Sequence, residues 1–284
     1  MSQIFIETRG KSIDYRFLVK SPSESWWRTY SQWTAFENPT LIIENTSGAT
    51  QIYLSAIPSK RKDRTQTTIR YTLVIELDRS DSNDDLFLKL ISKWLEEVKT
   101  APKNLPKKSE IGDLLDRCFP ENMVEELLIK RQNEENPEEM IENLKSGISN
   151  FQFSKPKEEN TLRYKMWWGG INNQKSNNSW ISLVSKLLKE GYGKALLLNL
   201  AGENDLKQLL PTDQNNQNIG LLIIENDQEP TEIPIFNRQS DFDKIGRNWP
   251  SILTKLSAIK YVVLLIFIAL FVVFGRNFFL KTIP

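Results

Sequence analysis

Residues 169–176, Gly-Gly-Ile-Asn-Asn-Gln-Lys-Ser, come within one position of the phosphate-loop pattern G-x-x-x-x-G-K-[ST]. In a working loop of that kind, backbone N–H groups wrap the phosphates, the lysine reaches their terminal oxygens, and the hydroxyl that follows binds magnesium. Gly169, Lys175 and Ser176 are the candidate residues, with Gln174 in the place of the second glycine. That substitution is unfavourable, because the chain must turn there through a conformation that most side chains resist. The preceding strand, Arg-Tyr-Lys-Met-Trp-Trp, is half polar, and the apolar runs downstream end in Asn199 and Glu225 instead of a magnesium-binding aspartate. Gly and Asn adopt tight turns without any ligand. The segment therefore reads as a turn, and a nucleotide sensor or enzyme built on it is the alternative.

Other chemistry is narrowed by composition. The chain of 284 residues has no histidine and one cysteine, Cys118. Ser-His-Asp and Cys-His catalysis within the chain, HExxH metal sites and ordinary structural zinc sites are excluded. Carboxylates are numerous, yet none forms an EF-hand loop. No catalytic residue, metal or cofactor is assigned. Cys118 shares a helical face with Leu114 and Leu115 and reads as a small core residue. A formal net charge of +1 gives no global field for nucleic acid, and no nucleic-acid partner is expected.

Two clusters could recognise a partner. Trp26, Tyr30 and Trp33 recur at i, i+4 and i+7 with Trp27 beside them, and Trp167 and Trp168 form a second group. Such residues dominate protein-binding hot spots, although an aromatic stripe at helical spacing belongs more often to a core. The basic stretch Lys60, Arg61, Lys62 and Arg64 falls between two strands. It could meet anionic headgroups if a membrane is near, or serve as a charged hairpin tip that discourages strand pairing.

The elements that position these residues read as α/β. In the N-terminal part, strands are expected at Ile4–Glu7, Ile13–Lys20, Leu41–Asn45, Gln51–Ile57 and Thr68–Asp78. A helix with Ser21 as N-cap and Pro22 in its first turn carries the aromatics to Asn38-Pro39. Leu86, Phe87, Leu90, Ile91, Trp94, Leu95 and Val98 give the helix Asp84–Val98 one broad apolar face. Residues 81–160 carry 12 basic and 18 acidic side chains, which suggests a solvated helical connector after residue 100. Beyond it come the strand Leu162–Trp168, a helix Trp180–Glu190 stopped by Gly191, and the apolar strands Ala195–Ala201 and Gly220–Asn226. A short helix, Glu203–Leu210, lies between the last two strands. The expected plan is α/β or α+β: two mixed-sheet modules (1–100 and 161–240) joined by an acidic helical connector (101–160), then a juxtamembrane segment (241–255) and a membrane span (256–280).

The span rests on the uncharged run from Tyr261 to Gly275, which includes Leu265 and Phe271 and is bracketed by Lys260 and Arg276. As a helix its fifteen residues cover roughly 22 Å at about 1.5 Å per residue, short of a hydrocarbon core of about 30 Å. Flanking apolar residues and snorkelling of Lys260 and Arg276 close the gap. Lys244, Arg247, Lys255 and Lys260 before the run outnumber Arg276 and Lys281 after it, which favours a cytoplasmic N-terminal side. Lys255 and Lys260 are also candidates for contact with the membrane surface. The N-terminus has no apolar signal-peptide region, so post-translational insertion as a tail anchor is expected. The function expected from the sequence is a single-pass, C-terminally anchored membrane protein whose cytoplasmic domain acts as adaptor, scaffold or regulatory subunit for a protein partner. A membrane-perturbing effector acting through the tail helix is a further alternative, weakened by the lack of a polar pore lining.

Overall fold

The computed structural model describes residues 2–18, 20–34, 38–46, 49–78, 84–101, 103, 105–129, 138–153, 164–191, 193–200, 205, 209, 218–224 and 227–233. Contacts divide the chain into one unit of residues 1–200 with 213–235 and another of 201–212 with 236–284. Every strand and helix given a label below belongs to the first. The expected span, with Tyr261, Leu265, Phe271 and Gly275, and the flanking Lys255 and Lys260 lie outside the described residues. Among the described residues no helix is long and apolar enough to cross a membrane.

The protein is mixed α/β, with one large mixed sheet and several helices. The strands are β1 (Gln3–Thr8), β2 (Arg16–Phe17), β3 (Leu41–Thr46), β4 (Ala49–Lys62), β5 (Thr68–Asp78), β6 (Met166–Gly170), β7 (Lys194–Leu198), β8 (Ile219–Ile223) and β9 (Thr231–Glu232). They lie side by side in the order β2-β1-β5-β4-β3-β7-β8-β6-β9. The two modules expected from the sequence are thus corrected to a single sheet. Its seam is β3 against β7, antiparallel, with Leu41 opposite Leu197 and Ile43 opposite Ala195. Leu41, Ile42, Ile43, Ala195 and Leu197 are fully buried, so either strand left as an edge would present apolar surface and an unpaired backbone. Strands β1 to β5 are antiparallel neighbours, whereas β7, β8 and β6 run parallel.

The helices are α1 (Asp84–Thr100), α2 (Glu110–Cys118), α3 (Glu121–Ile129), α4 (Glu138–Ser149) and α5 (Gln174–Glu190). Their apolar residues join one continuous core with alternate residues of the sheet: Ile6, Leu73, Ile75, Ile52, Leu54, Leu41, Ile43, Leu197, Leu222 and Trp167. The connector is corrected by the same core. Ile111, Leu115, Phe119, Val124, Leu128, Leu144 and Ile148 of α2 to α4 are buried, so the acidic side chains form only the outer face of packed helices. Helix α2 lies so close to β4 that a Cβ on Gly112 would sit 1.9 Å from the Pro58 carbonyl oxygen. Pro58 itself falls past Leu54, the last β4 residue paired with β3, where β4 is an edge and proline is tolerated. A bulge between Leu54 and Ile57, with Ala56 at φ 61°, bends the strand there.

Other boundaries also shift. The aromatic helix is a 3-10 helix, Trp26–Trp33, preceded by Ser25 and not capped by Ser21. Bulky aromatics lose side-chain freedom in a helix, so tertiary packing decides its form. Its Trp26, Tyr30 and Trp33 are buried, and Trp27 stacks on Tyr53 at 5.7 Å. Tyr53 alternates along β4 with the core residues Ile52 and Leu54, so this helix covers the opposite face of the sheet. The strand expected at Ile13–Lys20 shrinks to Arg16–Phe17, and β4 continues through Lys62. Of the short helix expected at Glu203–Leu210, only Asp205 and Leu209 are among the described residues, both helical.

Candidate functional site

Residues 166–190 form a strand, a three-residue turn and a helix, the local topology of a phosphate loop, but several of the donors such a loop needs are engaged within the fold. Gly170 N donates to Gln228 O at 2.8 Å, Ile171 N to Ile223 O at 3.0 Å, and Asn173 N to Gly170 O at 3.1 Å. Asn173 caps α5, its side chain accepting from Ser176 N at 3.0 Å. The Ser176 hydroxyl, fully buried, donates to Gln228 O at 2.8 Å, and a Cβ on Gly169 would strike that hydroxyl at 2.3 Å. Lys175 extends into solvent and pairs with Glu229 at 3.3 Å. Gly169, Lys175 and Ser176 therefore fasten the β6–α5 turn to residues 228–229.

The basic stretch is divided. Arg61 is buried: its guanidinium donates to Thr8 Oγ1 at 2.9 Å and to Arg9 O at 3.1 Å, and lies over the Tyr71 ring at 5.0 Å. The carboxylate that balances it is Asp116 of α2, which accepts from Ser59 Oγ at 2.6 Å, Lys60 N at 2.7 Å and Tyr71 Oη at 3.0 Å. Lys60 pairs with Asp113 at 2.9 Å, while Lys62 and Arg64 are exposed. Arg61 thus locks α2 onto β4, and Lys60, Lys62 and Arg64 remain at the surface. Burial also pushes the Tyr71 phenol up from its usual range, suiting a hydroxyl that donates to Asp116.

On the opposite face, Tyr30 donates to Glu44 Oε2 at 2.7 Å, and Lys194 lies 3.2 Å from the same oxygen and donates to Tyr30 Oη at 3.0 Å. Glu44 and Lys194 are register partners across the β3–β7 seam, so this triad ties the 3-10 helix to the junction of the sheet. Trp167 and Trp168 are buried as well. Burial raises the Cys118 thiol above its ordinary value, against Arg117, which makes it a poor nucleophile. Among the described residues no group of three or more cysteine or acidic side chains could hold a metal ion.

What the sequence did not reveal is an open groove of about 750 Å³ between α1, the first two turns of α5 and residues 150–153. Its apolar lining is Leu95, Phe151, Phe153 and Ile181, and its polar lining is rich in amides, with Asn150, Gln152, Gln174, Asn177 and Asn178. Of the two lysines nearby, one has a charged partner and the other a neutral amide. Lys93 pairs with Glu110 at 2.6 Å, and Lys99 donates to Gln174 Oε1 at 3.0 Å, while Gln174 donates to Asn178 at 2.9 Å. Two of the lining residues hold a polar atom that is shut away from solvent and has no hydrogen-bond partner among the described residues, Asn177 Oδ1 and Ser92 Oγ. The Asn177 amide nitrogen donates to Asn173 O at 2.8 Å and to Ile171 O, which fixes the orientation of the side chain and leaves Oδ1 as an unmet acceptor. From sequence, Ser92 is one polar residue on a helix, and Asn177 part of an Asn-rich turn; only the approach of α1 to α5 makes them a pair. The chain matches no family model, and comparison with curated proteins and with solved structures gives no match.

Proposed function

We propose that this protein is a single-pass membrane-anchored adaptor, holding its mixed α/β domain at the cytoplasmic face and engaging a protein partner there. The observation that carries the reading is the uncharged run Tyr261–Gly275 between Lys260 and Arg276, with four basic and no acidic residues in 251–284. A helix through that run, extended by its apolar flanks, is long enough to span with snorkelling ends. Surface-facing Lys60, Lys62 and Arg64 support the same reading, since basic side chains of a tethered domain gain from anionic headgroups. The engagement of the Gly170, Ile171, Asn173 and Ser176 amides and of the Ser176 hydroxyl within the fold weighs against the nucleotide alternative.

The test is fractionation. The full chain should sediment with membranes and resist carbonate extraction, whereas a chain ended at Trp249 should be soluble and folded, and a tag at Met1 should be protected from added protease in sealed cells and digested once the cells are lysed. A shortened chain that still sediments with membranes, or a tag digested in sealed cells, refutes the reading. Tail-dependent permeabilisation of vesicles would replace the adaptor with the membrane effector.

A further inference from the structure

We infer that the tip of the β4–β5 hairpin is a lipid-docking surface, laid on the anionic headgroups of the membrane that holds the tail. This deepens the adaptor reading and rests on it for the presence of that membrane. Shape is the first observation. Strand β3 pairs with β4 only as far as Leu54, and β1 pairs with β5 only as far as Thr72, while β4 and β5 go on together from Ile57 opposite Tyr71 to Lys62 opposite Thr68. The end of the hairpin is therefore a two-stranded ribbon beyond its neighbouring strands, with α2 against one side. A convex tip suits a broad surface, whereas a small ligand needs a concavity.

Charge on this ribbon divides by direction. Asp63, the acidic residue of the turn, is 8% exposed: its Oδ1 accepts from Thr65 N at 2.8 Å, Thr65 Oγ1 at 2.7 Å and Thr67 N at 2.9 Å, and Arg9 lies 3.4 Å from its other oxygen. Lys60 is held by Asp113, but Lys62 and Arg64 are exposed and have no ion pair among the described residues. Helix α2 runs beside β4 in the same direction, with Gly112 at Pro58 and Asp116 at Lys60 N. Arg117, exposed and one turn past Asp113 on the same helix face, therefore extends the basic surface toward the tip. Charges on a hairpin commonly guard a free strand edge. Here α2 covers β4 past Leu54, Pro58 has no N–H, and Lys60 N is bound by Asp116, so little of that edge is left to guard. Each Lys or Arg at an anionic surface is worth about fivefold in affinity, and Lys62, Arg64 and Arg117 together roughly 100-fold. That is too little to hold a free protein on a membrane, but a tether makes the contact intramolecular. From Ile233 to Tyr261 is 261 − 233 = 28 residues, which reach at most about 90 Å at roughly 3.3 Å each, long enough for the tip to meet the surface.

The experiment uses the full chain with Cys118→Ser and Gln66→Cys, labelled at position 66 with an environment-sensitive fluorophore. It is reconstituted from mild detergent into vesicles of phosphatidylcholine alone or with about one-third phosphatidylserine. Emission should shift to the blue in the anionic vesicles and not in the neutral ones, and molar salt, with a Debye length of about 3 Å, should reverse the shift. Lys62→Gln with Arg64→Gln should lower the ratio of docked to undocked tip about 25-fold at an unchanged melting temperature, and Lys62→Glu with Arg64→Glu should abolish the shift. If the charge-reversed chain does not fold, the glutamine pair decides. Equal emission in the two kinds of vesicle, a shift that survives salt or the glutamine pair, or an equal shift when duplex DNA is offered to the chain in neutral vesicles would overturn the proposal. Flotation separates the tip from the anchor. A chain that floats with both kinds of vesicle yet shows no shift refutes the docking and leaves the anchor standing. One that floats with neither, but gives the salt-sensitive shift at high anionic lipid, refutes the anchor and keeps the tip; neither flotation nor shift refutes both.

Discussion

Replacing Gly112 by alanine sets two effects of opposite sign against each other. In an ordinary helix the change is favourable by about 1 kcal/mol, because glycine loses more backbone freedom on folding. Here the added Cβ would lie 1.9 Å from the Pro58 carbonyl oxygen and 3.0 Å from its carbon, both backbone atoms of β4. Neither can rotate aside. Helix α2 would have to retreat, yet Asp116, one turn on, holds Ser59 Oγ at 2.6 Å and Lys60 N at 2.7 Å. Overpacking costs about 1–3 kcal/mol, and weakening a hydrogen bond to a charged group costs roughly 1.5–3 kcal/mol. Set against the propensity gain, the net loss is about 1.5–5 kcal/mol, or roughly 3–20 °C in melting temperature for a domain of this size. Gly147→Ala is the control. Its Cβ would meet the Leu114 side chain at 2.3 Å, and a leucine terminus can change rotamer, so its effect should stay within about 1 kcal/mol. Thermal unfolding of the full chain in detergent reads both variants. A Gly112→Ala protein that melts at or above the parent temperature would refute the claimed closeness of α2 and β4.

Trp94 is 2% exposed and donates from Nε1 to Ser55 O at 3.1 Å, so Trp94→Ala should cost about 3–5 kcal/mol in urea unfolding, and a loss below about 1 kcal/mol would place that face of α1 outside the core. A working phosphate loop saturated at about one hundred times its dissociation constant would gain roughly 2.7 kcal/mol, whereas millimolar Mg-ATP or Mg-GTP should leave the melting temperature of the parent and of Lys175→Ala unchanged; a Lys175-dependent rise would restore the nucleotide reading. Burial holds the Glu97 carboxyl above its usual 4.5, against the hydrogen bonds it accepts from Ser109 Oγ and the Glu110 and Ile111 amides. A raised folded-state pKa contributes stability that is present below about 4.5 and lost as pH rises through the folded value. The stability difference between parent and Glu97→Gln should therefore shift against the parent across that window, and a difference independent of pH would contradict the burial.

Much of the local structure was legible because it obeys period and punctuation. The α1 face follows the 3.6-residue repeat, β5 begins and ends where its β-branched run does, and Gly191 stops α5 in a left-handed conformation. The beginning of α5 was misjudged by six residues, since Asn173 caps it and Gln174 to Ser179 look like loop by composition. Joining of the two strand sets could not be read, because an apolar strand such as Leu41–Thr46 does not name its neighbour. Charge misled twice. Acidic residues hid the buried stripes of α2 to α4, and Arg61 looked like its exposed neighbours until Asp116 and Thr8 were brought to it by the fold. The groove was invisible for the same reason, as it depends on α1 lying beside α5.

The β3–β7 seam also sets an order of events during synthesis. Strand β4 follows β3 directly, so that hairpin can form as soon as it leaves the ribosome, but the other side of β3 waits for β7. From Leu41 to its partner Leu197 is 197 − 41 = 156 residues, which at roughly 5–20 residues per second is about 8–30 s of translation. For that interval Leu41, Ile42 and Ile43 stand on an open, apolar, flat edge with unpaired backbone, the kind of surface that recruits foreign strands. A nascent chain arrested between residues 80 and 190 should accordingly be the form most dependent on chaperones, and solubility during expression should respond to the rate at which ribosomes cross that stretch more than to the stability of the finished fold.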